Sequence, residues 1–355
     1  VYFDLTKKKD FDQFFLNIGK YNMIAVVNYE LAWRRKELLK LHNFTLLLDE
    51  SSLIQNSKAK QTKFIMKLDA QNVILLSGTP VSGKYENLWT QLKLLGYPYG
   101  EGYFMNQYVN FIDMDFGYGY PVKVVNKRKP YKNEEHLKQT LENHGAVFMK
   151  TEEVLKLPEQ NFIKVKIPVI SEYKKFMKND VVKIGSEELI GDTTLTKRLY
   201  ARQLCGSYNK NKLQAYKDIL ESTNDRLIVF YQYQKDLDEL LKVTNKSYSI
   251  INGNTKDLDS YEYGSDSVTF VQYQAGAMGL NLQKANKIIY FTPTDRVEHW
   301  MQSQKRIHRI GQNNTCFYYQ LICENSVEES IYEALERGVD YNERLFEHEF
   351  GKVRK

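Results

Sequence analysis

Apolar residues come in short runs rich in β-branched and aromatic side chains, separated by longer stretches where they recur every third or fourth position. Runs of the first kind read as buried strands and stretches of the second kind as helices. NMIAVVNY (22–29) predicts a strand, ELAWRRKELLKLH a helix, FTLLLDE (44–50) a second strand, SKAKQTKFIMKLDA a helix and NVILLSG a third strand. From about residue 96 to 157 the pattern loosens. The Tyr-, Gly- and Lys-rich stretch there is expected to be an insertion rather than core sheet. NFIKVKIPVI predicts a strand, and a long helical stretch follows to about Leu220. RLIVFYQY, SYSIINGN, SVTFVQY, KIIYFTPT and CFYYQLIC predict further strands, and SVEESIYEALERGVDYNERLFEHEF one closing amphipathic helix. Strands alternating with helices predict parallel sheets covered by helices, so the expected class is α/β, with two lobes and a helical insertion between them.

Composition adds little that conflicts. A chain of 355 residues has room for two cores. Its net charge of +6 permits a nucleic-acid partner without requiring one. Cys205, Cys316 and Cys323 form no C-x-x-C pair and are expected reduced and mostly buried. No apolar run has the length of a membrane helix, so no membrane partner is expected. The chain opens on Val1 rather than Met, which fits a processed or truncated piece.

Four segments carry chemistry. In FTLLLDES the apolar run ends on Asp49-Glu50, at the strand end where open α/β sheets place ligands. There the first acid can hold Mg²⁺ through water, and the second can polarise a water. The alternative is a solvated acidic pair starting a helix. In QSQKRIHRIGQ, Arg306 and Arg309 share a face if the segment is helical, which suits a polyphosphate. The alternative is a basic solvated face. In QAGAMGLNL, small residues including Gly276 and Gly279 let backbone approach a ligand. Finally, Gly78 to Tyr85 is one residue from G-x-x-x-x-G-K-[ST]. It is not a phosphate loop. Tyr85 stands where a Ser/Thr hydroxyl should reach Mg²⁺, and Pro80 removes an N–H from a loop that should present them.

An acidic strand end, then LSGTP, then AGAMGLNL, then Q-x-x-x-R-x-H-R-x-G-Q is far more specific as an ordered set than any one piece. In it the chain resembles the SNF2 family of superfamily 2 DNA translocases, and in particular small bacterial and phage-type members. The resemblance covers essentially the whole chain. Asp49-Glu50 matches motif II, Ser77-Gly78-Thr79-Pro80 motif III, RLIVFYQY motif IV and Gly276 to Leu282 motif V. Gln302, Arg306, His308, Arg309, Gly311 and Gln312 match motif VI, Asn28-Tyr29-Glu30 the element before motif II, and NSVEESIYEAL a brace helix.

The resemblance implies two RecA-like lobes, the first N-terminally incomplete. Residues 1–165 would form lobe 1 with an insertion at about 97–150, 166–208 a helical connection, and 209–355 lobe 2. It implies an ATP- and Mg²⁺-dependent enzyme acting on double-stranded DNA as a monomer, in the cytoplasm of a bacterial or phage-infected cell. Asp49, Glu50, Arg306 and Arg309 would be catalytic, with Asp49 on Mg²⁺ through water. Gly276, Gly279 and Gln302 would bind nucleotide, and Ser77, Gly78 and Thr79 would couple the ATP and DNA sites. Asn28, Tyr29, Gly253, Asn254, Lys127 and Arg128 would face DNA, mainly its backbone. The family's phosphate loop is expected upstream of Asn28, and these residues hold no G-x-x-x-x-G-K-[ST]. The chain is therefore expected to be a fragment that is inactive alone; the other reading is a non-enzymatic binding module on this fold. Ser52, Lys150-Thr151 and Tyr273-Gln274 depart from the family pattern.

Overall fold

The computed structural model describes residues 1–78, 84–115, 120–126, 128–149, 155–276 and 279–351. They divide into two units, Val1–Phe148 and Met149–Lys355. Strands form where the apolar runs fall, because a run of β-branched and aromatic residues packs well only on a pleated, buried surface.

In the first unit β1 (Tyr2–Asp4) pairs in parallel with β2 (Ile24–Val26), and β3 (Thr45–Leu48) with β4 (Asn72–Leu75). Successive strand residues point to opposite faces. The inward set, Phe3 and Leu48, meets Phe11 and Phe14 of the helix Lys8–Leu16, and Ile54, Phe64 and Ile65 complete that core. The outward set is exposed: Tyr2, Ile24, Val26, Leu47 and Ile74, with Leu76 just beyond β4. The expected insertion lies outside these sheets and has its own core of Leu88, Leu92, Tyr97, Phe104, Tyr108 and Leu137. It is not purely helical. Between the helices Glu101–Tyr108 and Glu134–Asn143 runs an antiparallel hairpin, β5 (Phe111–Met114) and β6 (Val122–Val125). All of β5 is exposed, so its sequence carries no alternation to reveal it.

The helix expected over ELAWRRKELLKLH is broken. A four-residue helix, Tyr29–Ala32, is capped by the Asn28 side chain, and a 3-10 turn follows at Lys36–Lys40. Between them Arg35 leaves helical geometry, at φ −96° and ψ 76°, with its guanidinium over the Phe11 ring at 4.0 Å.

The second unit is built on one parallel sheet of six strands, ordered β11-β12-β10-β13-β14-β7. These are β7 (Gln160–Ile167), β10 (Leu227–Tyr231), β11 (Ser247–Ile251), β12 (Ser267–Gln272), β13 (Lys287–Tyr290) and β14 (Cys316–Cys323). Every expected strand in this region is present. Strand β7, assigned by the sequence to the end of the first lobe, instead pairs along its whole length with β14, Gln160 opposite Cys316 through Ile167 opposite Cys323. The unit boundary therefore lies at 148/149 rather than 165.

The helical stretch expected before Leu220 is interrupted as well. It holds three helices, Ser171–Asn179, Thr194–Cys205 and Lys210–Glu221, and between the first two runs an antiparallel hairpin, β8 (Val181–Ile184) and β9 (Glu187–Ile190). Its turn is Gly185-Ser186, with Gly185 at φ +59°, and Val182 and Leu189 point inward. A Gly-Ser pair between alternating apolar positions is a hairpin signal that the helical reading passed over. The closing helix is two, Val327–Glu336 and Glu343–Phe350, parted at Gly338 with φ +70°.

Candidate functional site

Asp49 and Glu50 follow β3 directly, at its carboxyl end, as the sequence predicted. Asp49 is exposed and Glu50 partly so. The backbone turns sharply here, with Glu50 left-handed at φ 50° and ψ 53°. Three contacts hold the turn. Glu50 N donates to Asp49 Oδ1 at 3.1 Å, Ser51 N donates to the Leu76 carbonyl at 2.8 Å, and Ser51 Oγ donates to Gln91 Oε1 at 3.1 Å. A fourth comes from the element before motif II. The Tyr29 hydroxyl donates to the Asp49 backbone carbonyl at 2.7 Å. Burial, with the nearby Asp49 and Glu50 charges, pushes the Tyr29 phenol up to about 12, so it stays a protonated donor. Asn28 Oδ1 accepts from Leu31 N at 2.8 Å, capping the short helix. The side chains of Asn28 and Tyr29, expected to face DNA, are thus both engaged within the unit.

Ser77 and Gly78 follow β4 at the same end of the paired strands as the acids. Thr79 and Pro80 lie outside the described residues, as do Lys127 and Lys150-Thr151. Arg128 is exposed on the loop after β6, where Asn126 Oδ1 accepts from the backbone N of Arg128 and Lys129 at 3.0 and 3.4 Å.

In the second unit, motifs V and VI are locked together. The helix Val297–Gln304 ends before Arg306, so Arg306 and Arg309 do not share a regular helix face as expected. The segment after it is a chain of turns closed by Gly311 at φ +96°, a conformation that favours glycine. Tertiary contacts override the helical spacing. Leu282 N donates to the Arg306 carbonyl at 3.1 Å, and Arg309 Nη1 to the Leu280 carbonyl at 3.4 Å. His308 Nε2 donates to the Pro158 carbonyl at 2.9 Å. The buried Gln312 amide donates to the carbonyls of Ala285, Gln283 and Ile307 at 2.8, 3.2 and 3.3 Å. The side chains of Gln312 and His308 are therefore engaged by backbone carbonyls within the unit, which motif spacing alone did not reveal.

Gln302 Nε2 donates to Glu298 at 3.3 Å, while its Oε1 is buried without a hydrogen-bond partner among the described residues. Gly276 ends the short helix after β12. Gly279 has φ +68°, and a Cβ there would meet no described atom within 4 Å. Gly279 is thus required by backbone conformation rather than by crowding. Gly253 and Asn254 sit exposed in the loop after β11, where Asn252 Oδ1 accepts from Asn254 N and Thr255 N at 2.9 and 2.8 Å.

A second polar centre went unnoticed in the sequence. Lys212 and Glu328 are fully buried, and Lys212 Nζ lies 2.6 and 2.7 Å from the two Glu328 oxygens. Burial is the largest influence and opposes the Lys212 charge, but the facing Glu328 carboxylate and the neighbouring Cys323 and Cys205 together outweigh it, and the lysine is held above its ordinary range. All three cysteines are free and buried. Cys205 and Cys323 join Glu328 in bringing three donor atoms within 4.8 Å of one another, a set that could hold a metal. Lys212 already engages both Glu328 oxygens, and burial raises the Cys205 thiol, so the cluster is a salt-bridged clasp between helices. Among the described residues, no helix is long and apolar enough to cross a membrane.

With this geometry in place, comparison with known proteins assigns the class. The SNF2-related domain model matches residues 4–218 and the helicase conserved C-terminal domain model residues 211–311. The chain belongs to the SNF2-related family. Among relatives, it is 24% identical over 353 residues to the mouse (Mus musculus) SWI/SNF-related matrix-associated actin-dependent regulator of chromatin subfamily A member 1, covering 88% of this chain and 33% of that protein. It is 25% identical over 345 residues to the Caenorhabditis elegans subfamily A-like protein 1 homolog, covering 90% of this chain and 48% of that protein. The chain thus spans between a third and a half of the length of these relatives. Among solved structures, the Sulfolobus solfataricus SWI2/SNF2 ATPase core in complex with dsDNA is similar over 98% of this chain and 76% of that one, with 18% identity and a TM-score of 0.39.

Proposed function

We propose that this chain is the greater part of an ATP-dependent double-stranded DNA translocase or helicase-like ATPase, with Asp49, Glu50, Arg306 and Arg309 as its catalytic residues. The observation that carries this reading is the paired carboxylates at the carboxyl end of a parallel strand, held in a defined turn, in a chain of this family. The donor set fits Mg²⁺. Asp49 is exposed, and its described side-chain bond is the one it accepts from the next residue's N–H. Bound Mg²⁺ would neutralise phosphate charge. Asp49 would hold it through water, Glu50 would orient and polarise the attacking water, and the two arginines would stabilise charge on the phosphates. The orphaned Gln302 Oε1 offers one buried acceptor to a nucleotide donor. Ser77, Gly78 and Thr79 would relay between the ATP and DNA sites. Gly253, Asn254 and Arg128 would meet the DNA backbone from exposed loops, and Lys127 would also contact it.

The chain is further read as a fragment whose phosphate loop is carried elsewhere in the polypeptide, acting as a monomer in a bacterial or phage-infected cell. Parallel sheets are ordinarily covered on both faces. The uncovered outward face of β1 to β4 supports a covering segment beyond these residues. The test is steady-state ATPase activity with and without duplex DNA. This chain should turn over feebly, and the polypeptide extended upstream should be DNA-stimulated. In the extended protein Glu50→Gln should abolish turnover while ATP binding survives. Robust DNA-stimulated turnover by the 355-residue chain would overturn the fragment reading. An extended protein without any turnover would favour a non-enzymatic binding module.

A further inference from the structure

The peptide group joining Asp49 to Glu50 is gripped on both sides. Its N–H donates to Asp49 Oδ1 at 3.1 Å, and its carbonyl accepts from the Tyr29 hydroxyl at 2.7 Å. The peptide is planar, so fixing its two polar ends fixes the orientation from which Glu50 departs. Glu50 departs in the left-handed region, which a residue with a Cβ adopts rarely and keeps only where its surroundings impose it. The next residue is anchored too, through Ser51 N to the Leu76 carbonyl. The strain is therefore concentrated at Glu50. Turning over the peptide before it is the direct way to release that strain, and such a flip would take the Asp49 carbonyl away from Tyr29.

We propose that Tyr29 is a positioning residue for Glu50: its hydroxyl locks the Asp49–Glu50 peptide and so maintains the left-handed turn that aims the Glu50 carboxylate. The inference rests on the reading of Glu50 as the group that acts on water. It gives Tyr29 a different task from the DNA contact implied by family resemblance. The donor is well suited to it. Tyr29 is partly buried, and its helix is short and capped by Asn28, so its ring is held by the fold rather than by a ligand. The same short helix leads into Trp33, whose ring lies 5.3 Å from the Arg34 guanidinium and 5.4 Å from the Lys60 amine.

The test is Tyr29→Phe, which removes the hydroxyl and leaves the ring. In the upstream-extended protein, kcat for ATP at saturating duplex DNA should fall about tenfold, as for loss of one orienting hydrogen bond. KM for ATP, affinity for duplex DNA and the melting temperature should be unchanged. Unchanged kcat with weakened DNA affinity would overturn the inference in favour of direct DNA contact. Equal loss of melting temperature and activity would overturn it in favour of a purely structural role. A second measurement uses the 355-residue chain and needs no activity. A crystal structure of the Tyr29→Phe chain should show Glu50 out of the left-handed region, and one that keeps it there overturns the inference. If the extended wild type proves inactive while this variant still releases Glu50, the functional reading fails and the positioning contact stands.

Discussion

The two units solve the burial of parallel strands differently. In the second unit β10 is buried at every position, and β12 is buried at all but its last residue, with helices packed on the sheet. In the first unit the strands are three or four residues long and one face is open, with Leu47 55% and Ile74 44% exposed. A strand buried on both faces gains from every side chain, whereas one buried on a single face gains from half. The second unit also carries a buried ion pair, Lys212 with Glu328. The lesson is a division of labour. The second unit holds motifs V and VI by hydrogen bonds between them. The first presents its acidic pair on a turn fastened to short strands, and that turn depends on single contacts such as Tyr29 to Asp49.

The sharpest way to break this contrast is at Lys212–Glu328. Glu328→Gln leaves a buried, unpaired ammonium and should cost about 3–5 kcal/mol of second-unit stability. Trp300 reports on the second unit and Trp33 and Trp89 on the first, so denaturant titration with tryptophan-to-phenylalanine variants separates them. Loss confined to the Trp300 signal is expected. A loss shared equally would show that the units do not unfold independently.

The next effect is a pH dependence. Burial pushes the Asp236 carboxyl up from 3.8 to about 6, although its Oδ2 accepts from Tyr233 N at 3.0 Å and from the Thr292 hydroxyl at 2.9 Å. Its Oδ1 has no hydrogen-bond partner among the described residues. Because the folded value lies above the unfolded one, its stabilising contribution is complete below about pH 4 and is lost as pH rises through about 6. The difference amounts to roughly 3 kcal/mol. Asp236→Asn should flatten the Trp300-detected stability profile between pH 4 and 7. A profile as steep as wild type would assign the titration to another group.

The smallest expected effect concerns the open face. Leu47→Ser and Ile74→Ser should each change first-unit stability in this chain by no more than about 0.5 kcal/mol, the range of surface substitutions. In the upstream-extended protein the same changes should cost at least about 1–2 kcal/mol, since a covered leucine or isoleucine then loses its burial. Equal small effects in both would mean that nothing covers the face.

Much of the second unit was legible in the chain. The runs LIVFY, SVTFVQ and CFYYQLIC are strands because their apolar content is buried in a sheet covered on both sides. The acidic pair was legible for the same reason, since apolar LLL stops at Asp49 and charge cannot continue into a core. Less legible were places where local pattern and long-range contact disagree. The β8–β9 hairpin was hidden among helical stretches, and the break after Ala32 depends on Arg35 reaching Phe11. A glycine that packing constrains tightly was also missed. A Cβ at Gly206 would sit 2.6 Å from Thr292 Cγ2 and 2.8 Å from Asp236 Oδ1, whereas one at Gly253 or Gly279, both singled out by motif, would meet no described atom within 4 Å.

By itself the sequence determined the α/β class, the strands of the second unit's main sheet, the family motifs and the residue types that suit phosphate chemistry. These follow from periodicity and from chemical identity, which are local properties of a chain. Only the tertiary structure decided that β7 closes the second unit's sheet, that Lys212 meets Glu328 across 116 positions, and that Tyr29 grips the peptide before Glu50 from 20 positions away. No spacing rule links such pairs. Their geometry is set by which faces pack together, and an interior at native density leaves each buried donor few acceptors within reach.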